Sequence, residues 1–154
     1  MKGTPNPEEC TYTVWVQTGT DDDAGTSSVI GLTLAPEPYS QNEVKIDNLT
    51  SWSEYKVPRP YSYFQEDSLD AFKGTGRCLP KPPCWLVLRS SVTGVAPEWY
   101  VQYVEVTTVR PDTNTCNFQR FGVNSWLGHK NRRSPTAVVN NCGYPVALDG
   151  SQSI

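Results

Sequence analysis

The sequence predicts an all-β protein, an antiparallel sandwich of about eight short strands, and three observations predict it. Apolar and polar residues alternate with a period of two in several separate runs, the mark of strands that bury one face. Val, Thr and Tyr are frequent, while 11 glycines and 13 prolines cut the chain into short pieces. Heptads, internal repeats and convincing amphipathic helices are lacking. A chain of 154 residues has room for one domain with a real core. That domain is expected over residues 11–142, with 1–10 a flexible N-terminal segment and 143–154 a flexible C-terminal extension.

The stretch YTVWVQTGTDDDAGTSSVIGLTL, residues 12–34, organises the rest. In its first run Tyr12, Val14 and Val16 share one face, while Thr11, Thr13, Trp15 and Gln17 share the other. In its second run Ile30, Leu32 and Leu34 face one way. The loop between them carries Asp21, Asp22 and Asp23, three carboxylates that repel one another unless a cation or a basic partner lies near. Pro36 and Pro38 end the second strand, because proline donates nothing to a ladder.

A third strand is expected at 43–49, where Val44 and Ile46 alternate with Lys45 and Asp47. A proline- and aromatic-bearing loop follows, then a short strand at 61–64. Ser68-Leu69-Asp70 suits a turn whose side chains bond nearby amides. The run WLVLR at 85–89 is a buried strand between prolines and serines. In 99–108 the set Tyr100, Gln102, Val104, Val106 alternates with Trp99, Val101, Tyr103, Glu105. A further strand is expected at 118–123. The tail after Gly128 holds the only histidine, in the basic cluster His129-Lys130-Asn131-Arg132-Arg133. A short charge run of this kind is usually a solvated surface, although it can meet anionic lipid or an acidic partner.

Five cysteines point to an oxidising compartment. The first ten residues have no apolar core of a signal peptide, so a mature chain with its leader removed and an added initiator Met is expected. Cys10 and Cys142 bracket nearly the whole domain, and Cys78 and Cys84 bracket CLPKPPC. The expected pairing is Cys10 with Cys142 and Cys78 with Cys84, one of about fifteen ways of leaving one cysteine odd. Cys116 is then the odd thiol, buried in the commoner case. A reduced protein with buried thiols is the alternative.

Net charge of −3 argues against nucleic acid as a partner. No apolar run approaches the roughly 20 residues of a membrane-spanning helix. The chain has neither a Gly-x-Ser-x-Gly elbow nor a phosphate loop nor a histidine-rich metal set. Glu66, Asp67 and Asp70 are the acids available for acid–base work, with Asp70 better suited to tying down its own loop. Tyr55, Tyr61 and Tyr63 are candidates for an aromatic platform under a sugar. A binding or interaction module is the expected function; a small-molecule- or carbohydrate-binding protein, or an enzyme acting on a small metabolite, is the alternative.

Four landmarks stand in one order: TGTDDDAGT, LDAF near residue 70, PEWYVQYVEV, and Phe121…Asn124…Trp126-Leu127. In them the chain resembles the PLAT domain, also called the lipoxygenase homology or LH2 domain, over about residues 11–127. CLPKPPC, YVEVTT and the late NNC are similar to the small single-domain plant members associated with stress responses, which enter the secretory pathway with a signal peptide. The resemblance implies an eight-stranded antiparallel sandwich of two four-stranded sheets, without an active site, that binds membrane lipid surfaces or proteins as a monomer.

Calcium is the cofactor the resemblance implies. The matching positions are Asp23 and Gly25 in the first loop, Asp47 and Asn48 in the second, and Glu98 in the third. After Asp47-Asn48 the chain reads Leu49-Thr50-Ser51-Trp52, departing from the glycine and second aspartate found in the calcium-binding bacterial toxin members of that family. Asn48-Leu49-Thr50 is also an N-glycosylation sequon, and one amide cannot carry both a glycan and a metal. Trp52 and Tyr55, following that loop, are the candidates for docking on a membrane or partner, with core packing the other reading of Trp52.

Overall fold

The structure, a computed structural model, describes residues 9–58, 61–128 and 134–143. Eight strands form: β1 Glu9–Thr18, β2 Ile30–Ala35, β3 Val44–Ile46, β4 Leu69–Arg77, β5 Trp85–Ser90, β6 Trp99–Arg110, β7 Thr115–Leu127 and β8 Thr136–Asn140. One helical turn, α1 Leu49–Trp52, joins β3 to the segment before β4. The strands make two four-stranded sheets, β4-β1-β6-β7 and β3-β2-β5-β8, and every pair is antiparallel.

Burial follows the alternation. Tyr12, Val14 and Val16 from β1 and Leu32, Leu34, Leu86 and Leu88 from β2 and β5 are fully buried between the sheets. Burying each such side chain stabilises the fold by about 1.5–3 kcal/mol. Phe64 stacks on Phe72 at 5.5 Å and meets Trp99 edge-on at 5.4 Å. The Trp99 indole N–H donates to Thr18 Oγ1 at 2.9 Å, so its polar tip is satisfied inside the core.

In β6 the expected faces do not hold along the whole strand. Trp99 and Val101 point inward together with Val104, Val106 and Thr108. A bulge shifts the register between Val101 and Tyr103, leaving Gln102 exposed. One extra residue reverses the in–out sequence, so both halves keep their large apolar side chains inside.

Other boundaries also differ. Glu9 and Cys10 already pair in β1, opposite Arg77 and Gly76. Residues 61–64 form no strand, because Phe64 turns at φ +60° and its N–H is held by Asp70. Leu69 and Asp70 open β4, opposite Gln17 and Val16, instead of forming a turn. Two glycines and an aspartate hide β4 from propensity, and pairing with β1 overrides it. β8 lies in the segment read as a tail; its TAVVN run is half exposed at a sheet edge.

The disulfide pairing is corrected. Cys10 bonds Cys78 and Cys84 bonds Cys142, so neither expected bridge forms. Strand neighbours decide this and sequence brackets do not. Glu9 sits opposite Arg77, which brings Cys10 to Cys78; Trp85 sits opposite Asn140, which brings Cys84 to Cys142. Their Cα separations of 5.0 and 4.7 Å lie within the range a bridge needs. Cys116 is the free cysteine, and it is exposed on β7. No helix among the described residues is long and apolar enough to cross a membrane.

Candidate functional site

The loops at the Thr18 end of β1 are joined by backbone hydrogen bonds. Gly19 N–H donates to Tyr100 O, Tyr100 N–H to Ala24 O, Thr26 N–H to Phe64 O and Ser27 N–H to Ala96 O, each at 2.9 Å. These bonds tie residues 19–27 to the 62–68 and 91–98 loops. Gly25 is needed where they meet, since a Cβ there would lie 2.8 Å from Phe64 O. Asp23 adopts φ +65°, a region that aspartate tolerates better than most residues.

A half-open cleft of about 780 Å³ lies among these loops. Asp22, Asp23, Glu66 and Glu98 line it, and among the described residues neither lysine nor arginine does. Val95 stands on its edge, 99% exposed. The lining hydroxyls are already engaged: Thr26 Oγ1 donates to Ala96 O at 2.7 Å, and Ser27 Oγ donates to Thr93 O at 3.5 Å and accepts from the Ala96 N–H at 3.1 Å. What remains is a wall of acceptor charge with an apolar tip beside it.

The sequence-derived residues divide between places. Asp23, Gly25 and Glu98 come together in the cleft. Asp47 is exposed after β3 and does not line it. Asn48 faces a neighbouring cavity of about 310 Å³ and serves as the N-cap of α1. Its Oδ1 accepts from Thr50 N–H at 3.1 Å, Ser51 N–H at 3.3 Å and Thr50 Oγ1 at 2.8 Å. An oxygen already accepting three donors is poorly placed to face a cation as well. Calcium wants about six to eight oxygens. Among the described residues no three His, Cys, Asp or Glu side chains converge as a metal group. In this arrangement the five residues do not fit as one calcium cradle.

Trp52 does not sit at a loop tip. Its ring covers Gly74, where an added Cβ would lie 2.4 Å from the indole, and it packs against the core. Tyr55 is 42% exposed, on a segment that follows β4 through the Glu54 N–H to Lys73 O bond. Neither residue lines the acidic cleft.

Glu66, Asp67 and Asp70 do not form an acid–base pair. Glu66 lines the cleft, whereas Asp70 is buried and accepts from Phe64 N–H at 2.9 Å and from the Tyr61 hydroxyl. Burial, and then the hydrogen bond to Asp70, push the Tyr61 phenol up to about 12. Tyr63 meets Tyr61 edge-on at 5.1 Å and packs on Phe72, so these two rings present no flat platform. The basic cluster 129–133 lies outside the described residues. Asp22 and Val95 had not been singled out; Asp22 was legible within the triple aspartate, while Val95 carried no sequence signal.

Two twisted sheets with charged loops gathered at one pole define a C2-like sandwich of the PLAT class. The chain matches the family described as Embryo-specific protein 3 (ATS3) over residues 3–132, and it belongs to that family. It is 39% identical over 143 residues to PLAT domain-containing protein 2 of Arabidopsis thaliana, covering 91% of this chain and 74% of that protein. PLAT domain-containing protein 1 of the same plant is 38% identical over 148 residues, with 94% and 77% covered. Among solved structures, coral 8R-lipoxygenase, described with calcium activation via a C2-like domain, superposes with a TM-score of 0.62 at 17% identity. That match covers 84% of this chain, which spans only 16% of the lipoxygenase. The alpha toxin of Clostridium absonum gives 0.55 at 14% identity, over 90% of this chain and 33% of the toxin. At these identities the likeness is one of fold.

Proposed function

We propose that this chain is a non-catalytic docking module that recognises a positively charged surface through its acidic loop pole. One observation carries the reading: four carboxylates line a single cleft that, among the described residues, no lysine or arginine lines. Such a wall repels an anionic bilayer and attracts cationic groups at short range. The Thr26 and Ser27 hydroxyls in its lining are engaged with backbone groups, so the described lining offers no free nucleophile–base pair. A basic face on a partner protein meets these requirements directly.

A second reading is favoured by the exposed Val95 beside the carboxylates. Calcium accumulating near these carboxylates, without the converged ligands of a dedicated site, would offset their charge and let that apolar tip touch a lipid surface; two solved neighbours of the same fold are lipoxygenases described as calcium-activated and calcium-dependent. Sedimentation with phosphatidylserine vesicles and binding to an immobilised polylysine surface, each with calcium and with chelator, separate the two. Calcium-independent binding to polylysine that Asp22→Asn/Glu66→Gln abolishes supports the protein-docking reading. Calcium-dependent vesicle binding lost in Val95→Asp supports the lipid reading. Binding to neither surface removes both.

Two disulfides are consistent with an oxidising environment. We extend this to the secretory pathway, and to a part in plant stress responses on the strength of the sequence resemblance. The sequon amide nitrogen of Asn48 is not used by the cap, which leaves it open to a glycan. The intact mass of secreted protein with and without glycosidase tests this, and an unshifted mass rejects it.

A further inference from the structure

At the pole opposite the acidic loops, a second cavity of about 370 Å³ lies between the 79–83 loop and the end of the β4-β1-β6-β7 sheet. Its sheet wall is one rung of three strands, with Tyr12, Thr108 and Asn117 paired side by side. Its roof is Leu79, Pro80, Lys81, Pro82 and Pro83. Arg110, two residues beyond Thr108 on the inward-facing side of β6, donates to Leu79 O and so stands beneath that roof.

Three features of this cavity point to a ligand. First, Thr108 is only 9% exposed, and its Oγ1 is buried without a hydrogen-bond partner. A buried orphan hydroxyl costs free energy in the empty protein, so a site that keeps one has a use for it. Second, Arg110 and Lys81 line the cavity and, among the described residues, no carboxylate does. Arg110 uses a single Nη on Leu79 O, which leaves further guanidinium donors. Third, the roof is fixed before any ligand arrives. Cys78 ties its start to β1 and Cys84 ties its end to the segment after β8, while three of the five residues between are prolines. Loop ordering, normally a cost of binding, is completed on folding.

We propose that this cavity binds a small organic anion, a carboxylate borne on an aromatic or short hydrocarbon body. The carboxylate accepts from Arg110, Lys81 and the Thr108 hydroxyl. The body lies against Leu79 and the prolines. The volume is at the lower end of small-molecule pockets, which favours a ligand of one or two rings. The site is independent of the acidic cleft and does not rest on the docking function proposed for it.

The test uses the oxidised full chain, with 1-naphthoate and neutral 1-naphthamide as probes, followed by calorimetry and backbone amide NMR. Naphthoate is expected to bind saturably and to shift amides in 79–83, 108–110 and 115–117. Naphthamide, of the same shape without the charge, should bind at least about ten-fold more weakly. Arg110→Gln and Thr108→Val should each weaken naphthoate by about five-fold or more. Thr108→Val should also raise the melting temperature of the ligand-free protein, because it removes the orphan hydroxyl at constant shape. Asp22→Asn, at the other pole, should leave naphthoate binding unchanged. Absence of saturable naphthoate binding to the wild-type protein overturns the proposal. So do equal affinities for the two probes, shifts confined to the acidic pole, or a Thr108→Val protein that melts lower and binds as before.

Discussion

Removing the Cys84–Cys142 bridge is the perturbation whose magnitude follows most directly from the structure. The bridge closes a chain segment with a sequence separation of 58. The chain-entropy relation assigns such a loop about 4 kcal/mol of stability at room temperature. The Cys10–Cys78 bridge, at a separation of 68, comes out nearly equal, again about 4 kcal/mol. A domain of this size holds roughly 5–15 kcal/mol in all, so one bridge is a large share. In Cys84→Ala/Cys142→Ala, with a urea slope of about 2 kcal/mol per molar, the unfolding midpoint should fall by about 2 M. Equilibrium urea unfolding by tryptophan fluorescence reads the midpoint and the slope together. Peptide mapping without reduction checks the connectivity: linked peptides should contain Cys10 with Cys78 and Cys84 with Cys142. A loss below about 1 kcal/mol would contradict the entropy account. A bridge closed within CLPKPPC would overturn the pairing itself.

Four further outcomes follow from single contacts. Cys116 is exposed and unbridged, so the native oxidised protein should take up one equivalent of a maleimide, and Cys116→Ser should take up none. Gly74→Ala drives a methyl into the Trp52 ring and should cost about 1–3 kcal/mol. That penalty should largely vanish when measured in a Trp52→Ala background, as a double-mutant cycle will read. Asn48→Ala removes the cap of α1 and should cost about 1 kcal/mol by thermal unfolding. Tyr61 gives a pH dependence: its phenol is raised from 10.0 to about 12 in the fold, so folding favours the neutral form. Its contribution is whole below about pH 10 and is lost as pH climbs towards about 12. Denaturation midpoints across that window should fall less in Tyr61→Phe than in the wild-type protein.

The strands that bury large apolar residues on a strict period were legible in the chain. β1 and β2 are the examples, with Tyr12, Val14 and Val16 facing Leu32 and Leu34. β4 was not, since Gly74 and Gly76 carry no pattern; Gly74 is glycine because Trp52 lies over it, a contact between distant residues. β6 was half legible, as the bulge near Gln102 breaks the period that the reading relied on. The site divides in the same way. Asp23, Gly25 and Glu98, named together through the resemblance, do meet in one cleft. That Asn48 would spend its amide on the cap of α1, and that Asp47 would stay outside the cleft, depends on where loops meet in space. Cysteine partners obey strand order for the same reason, and strand order is a property of the assembled sheets.

Both ends of the described chain leave from one side of the molecule. Residue 9 begins β1 beside Cys78, and residue 143 follows the cysteine bound to Cys84, so the covalent ties and both exits share the proline-loop pole. The acidic rim lies at the other pole from both of these positions. A spectroscopic probe placed at residue 9 or 143 therefore reports from the pole farthest from the acidic rim.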